Sequence, residues 1–167
     1  LLSTNAASRG VWKSGQELPV SYQLYIDRLS SEHVDKEVAD TLKVFDKAGT
    51  LAFDDLLVNL NNRTPANKTH FMLIHEAIYQ KGRPNIGDAC FEIMHAQLES
   101  NLPKAFRQYR QLNDVNIGEW WGNNRSRPLH LLRVELARQS LKQAEDSKDA
   151  AAIEHLKKNL DAVEKEQ

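Results

Sequence analysis

The chain has 167 residues, 41% of them hydrophobic and 27% charged, enough to bury a core in one domain or two small ones. Lys and Arg number 22 against 23 Asp and Glu, so no overall field draws the protein to nucleic acid or an anionic membrane, and any such contact needs a local patch. No apolar run reaches the ~20 residues that span a bilayer, and the opening LLSTNAASRG lacks the charged-then-apolar order of a signal peptide. Having no initiator Met, it reads as a mature or trimmed piece, which leaves room for a removed leader.

Helical periodicity recurs from end to end and alternating Val/Ile/Thr runs are missing, which predicts an all-α bundle of about seven to eight helices ending in a helical hairpin. Residues 1–10 are expected to be a flexible N-terminal segment and 11–167 a single α-helical domain, divisible into two units at about 11–112 and 113–167. Pro19 suits the first turn of a helix through about Ser30, with Tyr22, Tyr25/Ile26 and Leu29 apolar at helical spacing. Val34, Val38, Leu42 and Phe45 stripe a second helix, which Gly49 ends. Thr50 or Asp54 opens a third, carrying Leu56, Leu57 and Leu60. Thr64 and Pro65 read as the cap and first turn of a fourth, with Phe71, Ile74 and Ile78 inward and Gly82 past its end.

After a loop at Gly82–Asn85 comes a helix to about Ser100. It holds the only cysteine, Cys90, on one face with Ile86, Ile93 and Gln97/Leu98. That placement predicts a small buried hydrophobe rather than a nucleophile, and a lone cysteine excludes a disulfide within a monomer. Asn101 and Pro103 start a further helix with Leu102, Phe106, Tyr109 and Leu112/Asn113 along one side. Residues 113–124 read as polar and irregular apart from Ile117 and the Trp pair. Ser126 is expected to cap a helix from Pro128 to about Glu145. Asp146–Asp149 then make a turn with two candidate caps, and Ile153, Leu156, Leu160 and Val163 form a narrow seam on the last helix. Such a seam is expected to pack on its own hairpin partner, with a homodimer as the alternative.

Chemistry-bearing motifs are sparse. His70 and His75 lie five apart, whereas two zinc ligands on one helix face want a spacing of four, and His75-Glu76 is not followed by the second histidine of HExxH. His75, His95 and Glu92 converge only by tertiary accident, so neither a metal nor a cofactor is expected. Arg125 and His130 fit a short Arg-x4-His pattern of α-helical ribonucleases, in which the pair would hold and protonate a phosphate, with Arg127 and Arg133 adding charge. Against that, Pro128 prevents one continuous helix from presenting both. Segment 38–82 resembles a helix-turn-helix whose recognition helix would offer Asn67, Lys68, Thr69 and His70 to phosphates and base edges. Asp54 and Asp55 and a chain that is not basic weigh against nucleic acid as partner. Gly-rich phosphate loops, GxSxG and CxxC are absent from the sequence.

The most informative stretch is WWGNNRSRPLHLL at 120–132. Trp121 is followed by six mainly polar residues, Pro128 and an apolar-periodic helix, and Trp12 is followed in the same way by KSGQEL, Pro19 and VSYQLYI. The proline starts the helix, the polar residues turn the chain, and the ring is expected to fold over the new helix as an aromatic lid. Trp12, Lys13, Gly15, Pro19, Tyr22 and Leu24, and again Trp121, Arg125, Ser126, Pro128, Leu131 and Leu132, resemble the opening of WY-domain units in oomycete (Phytophthora-type) RxLR effectors. The tyrosine of such a unit corresponds to Tyr79 or Tyr109. The chain departs from that family in lacking RxLR and Glu-Glu-Arg motifs and in the long interval between the two tryptophans.

The resemblance implies a non-catalytic virulence effector, secreted and then acting in the host cytoplasm or nucleus, which binds a host protein to suppress plant immunity. It implies Trp12, Tyr22, Tyr109 and Trp121 as structural core, and a partner surface among loops 61–68, 82–88 and 113–124. Trp120, Asn123, Arg125 and Arg127 are the candidate contacts. Trp120, which has Val11 at the equivalent place in the first unit, is expected at the surface.

Overall fold

A computed structural model describes residues 21–71, 84–99, 102 and 104–166. The protein is all-α: these residues hold helices α1 (Gln23–Asp27), α2 (Asp35–Ala48), α3 (Phe53–Val58), α4 (Ile86–Leu98), α5 (Ile117–Asn124), α6 (Leu129–Asp146) and α7 (Ala150–Glu164). Two 3-10 helices, Gly49–Ala52 and Lys104–Tyr109, accompany them. The described residues contain no strand. No helix among them is long and apolar enough to cross a membrane.

The apolar stripes explain the packing. In α1, Ile26 is buried, with Tyr22 just before the helix and Leu29 just after it; Val38, Thr41 and Phe45 are buried along α2. Gly49 ends α2 with a positive φ of 55°, a conformation that costs a side-chain-bearing residue energy, so the stop expected there has a backbone cause. The chain continues at once into a 3-10 turn and α3, placing Phe53 and Leu56 in the core.

The central element is α4. Its first six residues, Ile86 to Phe91, are buried all round, and Met94, His95 and Leu98 continue inward, so the single inward face expected from the sequence understates its burial. It touches α1, α2, α3 and α6. A capping box starts it: Asp88 N donates to Asn85 Oδ1 at 3.0 Å and Asn85 N to Asp88 Oδ2 at 3.0 Å.

The segment at 64–67 corrects one expectation. Thr64 and Pro65 do not open a helix; Pro65 pairs with Asn85 and Ala66 with Ser30 as isolated bridges, and helical geometry begins only at residue 68. Backbone bonds from Ser31 N to Pro65 O, Asn67 N to Leu29 O, Ala66 N to Pro84 O and Ile86 N to Thr64 O, each 2.9 Å, lace three stretches of chain into a clasp. Pro65 supplies its carbonyl there and needs no N–H, which is why a proline tolerates the position. Phe71 is buried as expected. Trp12, Pro19, Ile74, His75, Ile78, Tyr79, Gly82, Asn101 and Pro103 lie outside the described residues, as does segment 1–10.

Between α4 and α5, the expected helix after Pro103 is a short 3-10 stretch with a break at Phe106. At the C-terminus, α6 and α7 form a hairpin, the most extensive helix pair among the described elements. Asp149 caps α7, its Oδ1 accepting from Ala152 N at 3.1 Å. Leu156 and Val163 are buried and Ile153 and Leu160 half-buried, so the narrow seam rests on its own hairpin partner. Two apolar clusters result: a large one joining α1–α4 to Ile117, Trp121, Leu132 and Leu136, and a small one of Tyr109, Ala144, Ala152 and Leu156.

Candidate functional site

The stretch that stands out in sequence is built as follows. Ile117–Asn124 is a helix rather than an irregular segment, because Ile117 and Trp121 fall one turn apart and both find the core. Trp121 is 6% exposed, and its ring meets Phe53 of α3 edge-on, with centroids 4.8 Å apart and planes at 67°. It shares its cluster with Leu132 and Leu136 of α6. Trp120 is half-buried and packs against the same cluster, which corrects its expected place at the surface.

The turn after α5 is ordered by its own polar groups. Arg125 N donates to Trp121 O at 2.9 Å, Asn124 Nδ2 to Trp120 O at 2.8 Å and Arg127 Nη1 to Asn124 Oδ1 at 2.8 Å. Pro128, in extended geometry, occupies the N-cap position of α6; Ser126 is exposed and makes no capping bond, so the expected serine cap is not what starts the helix. Asn123, Arg125 and Arg127 are exposed. Arg125 Nη2 reaches Asp54 Oδ1 at 2.7 Å, and Arg127 Nη2 reaches Glu135 Oε2 at 2.5 Å. Beside the turn, α6 leaves an open groove of about 370 Å³, lined by Arg127, Leu131, Val134, Glu135, Arg138 and Lys142 among others.

The chain matches no family model, no curated protein and no solved structure.

The other sequence candidates are largely spent on structure. Arg125 is engaged by Asp54, while the His130 Nδ1 is buried with no hydrogen-bond partner among the described residues, so no observed contact joins the Arg-His pair. In the helix-turn-helix-like segment Asn67 is buried. Its Nδ2 donates to Asp35 Oδ1 at 2.9 Å, Thr69 Oγ1 donates to Asp35 Oδ2 at 3.1 Å, and His70 Nε2 lies 3.1 Å from Asp35 O. Bonds from Asn67 and then Thr69, with the His70 ring nearby, hold the Asp35 carboxyl below its ordinary range. Of the four residues offered to nucleic acid, Lys68 alone makes no such internal contact and is exposed. Burial pushes the Cys90 thiol up to about 12, so it stays protonated and unreactive at neutral pH. Among the described residues no three His, Cys, Asp or Glu side chains gather around a point where a metal would sit.

Tyr109 is buried, but in the small cluster rather than beside Trp121. Its hydroxyl donates to Asp149 Oδ2 at 2.8 Å, tying the 3-10 stretch to the start of α7. Tyr22 is buried in the large cluster, 6.2 Å from the Phe45 ring. Of the expected partner loops, 84–88 is mostly buried and two thirds of 113–124 is helix; exposed positions include Asn61, Arg63, Thr64, Lys68, Asn113, Asp114, Val115 and Asn123.

His95 and Glu92, weighed in the sequence only as metal ligands, each belong to a buried polar arrangement. His95 Nε2 lies 2.9 Å from Glu99 Oε2, both side chains almost wholly buried, and that carboxylate also accepts from Gln111 N at 2.7 Å and Leu112 N at 3.0 Å. An i, i+4 His-Glu pair near a helix end reads in sequence as a solvated pair. The second arrangement involves Glu92, Arg107 and Arg110.

Proposed function

We propose that this protein is a non-catalytic virulence effector, secreted and then acting in the host cytoplasm or nucleus, which binds a host protein to suppress plant immunity. The observation that carries this reading is the division of labour across 120–128. The Trp121 ring is locked into the core against Phe53, while Asn123 near the end of α5 and Arg125 and Arg127 on the turn after it are exposed. A fixed aromatic anchor beneath a polar turn is what a scaffold with variable contact residues requires, because surface side chains then change without loss of the core. The groove along α6, with exposed Leu131, extends that surface with apolar area.

The test is capture from plant extract with wild-type protein and with an Asn123→Ser/Arg125→Glu/Arg127→Glu variant, paired with an assay of immune suppression in leaf tissue. The expected result is one retained host protein, lost together with suppression in a variant that melts like wild type. Suppression unchanged in that variant overturns the assignment of this surface. A salt-dependent shift on mixed-sequence DNA or RNA, or RNA cleavage abolished by His130→Ala, overturns the non-catalytic protein-binding reading itself.

A further inference from the structure

We propose that Arg107 and Arg110, set against Glu92, form a binding site for a phosphate-type oxyanion. The arginines come from the 3-10 stretch Lys104–Tyr109 and the residue after it, with Arg110 N donating to Arg107 O at 3.0 Å. Residues three apart eclipse in 3-10 geometry, so both guanidinium stems leave on one side. Glu92, from the middle of α4, faces the pair: Arg110 Nη1 lies 3.5 Å from Glu92 Oε1, with side chains 15% and 11% exposed. Two cations share one anion there.

The hydrogen-bonding is more lopsided than the charge. Arg107 Nε and Nη1, Arg110 Nε and Glu92 Oε1 are all shielded from solvent and find no hydrogen-bond partner among the described residues. Native proteins seldom leave buried charged donors unmet. Desolvation, and then the neighbouring Arg110 cation, disfavour the charged form of Arg107, with Glu92 offsetting only part. An incoming anion supplies acceptors to the arginine donors and cancels the surplus charge, and a protonated oxygen of a hydrogen phosphate supplies the donor that Glu92 Oε1 lacks. The free donors sit on two separate guanidiniums and on different edges of one of them. A tetrahedral group with three acceptor oxygens suits that spread better than a carboxylate with two. Arginine is the side chain best matched to such a group. Arg107 is half-buried, which places the pair near the surface. The inference stands independently of the host-protein reading.

The test is a titration of the full chain with inorganic phosphate, followed by the Nε–H signals of Arg107 and Arg110 in NMR spectra. The expected result is a saturable shift of both signals, about tenfold weaker binding in Arg107→Gln and in Arg110→Gln, and tighter binding in Glu92→Gln, where the competing internal anion is gone. Arg107→Lys, which keeps the charge, controls for loss of fold by its unchanged melting, and is expected to retain weaker binding. Parallel arms with sodium acetate and with phosphatidylcholine vesicles containing phosphatidic acid separate the sources. Phosphate binding with or without vesicle binding supports the site and assigns a soluble or a lipid-borne phosphate. No saturable shift, acetate binding as tightly as phosphate, or binding unaffected by both Gln variants overturns it.

Discussion

Trp121 shows how one residue joins sequence pattern to structure. Its ring reaches Phe53, 68 residues earlier in the chain, while its backbone carbonyl receives Arg125 N, so the same residue seals the core and shapes the turn above it. Trp121→Ala is expected to lower stability by about 3–5 kcal/mol, the usual range for removing a buried large aromatic, measured by urea unfolding. Trp120→Ala, which trims a half-buried ring, is expected to cost clearly less. Equal losses would show that the two rings share the anchoring role. The burial of Tyr22, Tyr109 and Trp121 was legible because large aromatics at helical spacing have few stable alternatives to the core. Trp120 was misread because its neighbours in sequence are polar while its neighbours in space belong to the large apolar cluster. The unmet donors of Arg107 and Arg110 were illegible, since an arginine's partners depend on which helix arrives opposite it.

Helices α2, α4, α6 and α7 were readable from apolar periodicity and their stops, with ends displaced by a residue or two. The elements that differ are those decided by partners distant in the chain. Thr64-Pro65 has the local chemistry of a helix start, yet backbone pairing with Ser31, Ile86 and their neighbours holds it extended. Residues 113–124 looked too polar for a helix, but two apolar side chains one turn apart were enough once α3 and α6 covered them. The turn between α6 and α7 is decided by Asp149, which caps α7 and accepts from Tyr109, while Lys148 takes a positive φ of 55°. The bond from Ala152 N, and then that from the Tyr109 hydroxyl, holds the Asp149 carboxyl below its ordinary value. A lowered folded pKa adds stability above the ordinary carboxylate range, and that stability is lost as pH falls through the folded value. Asp149→Ala is therefore expected to lower Tm at neutral pH more than Asp149→Asn, which still caps. The gap between wild type and Asp149→Ala should shrink on acidification below pH ~4. A gap that stays constant with pH would mean the carboxylate's charge contributes nothing.

At the scale of the whole molecule, α4 passes through the large cluster with Cys90 fully buried and touches four other helices. Access to its thiol thus requires separating elements from both halves of the chain, a global rather than a local opening. A thiol reagent is expected to leave native protein unlabelled at pH 8 and to modify Cys90 with the same denaturant midpoint as loss of helical circular dichroism. Labelling well before that midpoint would mean that α4 detaches while the rest remains folded. The all-α class was legible at this scale. The partition into a large cluster and a small hairpin cluster was not, because Tyr109 commits to Asp149 and α7, a pairing no periodicity encodes.

The clasp of residues 29–31, 64–67 and 84–86 has a consequence for how such a protein diversifies. Ala66 N bonds directly to Pro84 O, so the chain departs from and returns to one anchored point, with both margins held by backbone groups that do not depend on side-chain identity. Three separate stretches of chain meet there through main-chain N–H and C=O groups, so the exposed side chains of Arg63 and Thr64 exchange without loosening the junction.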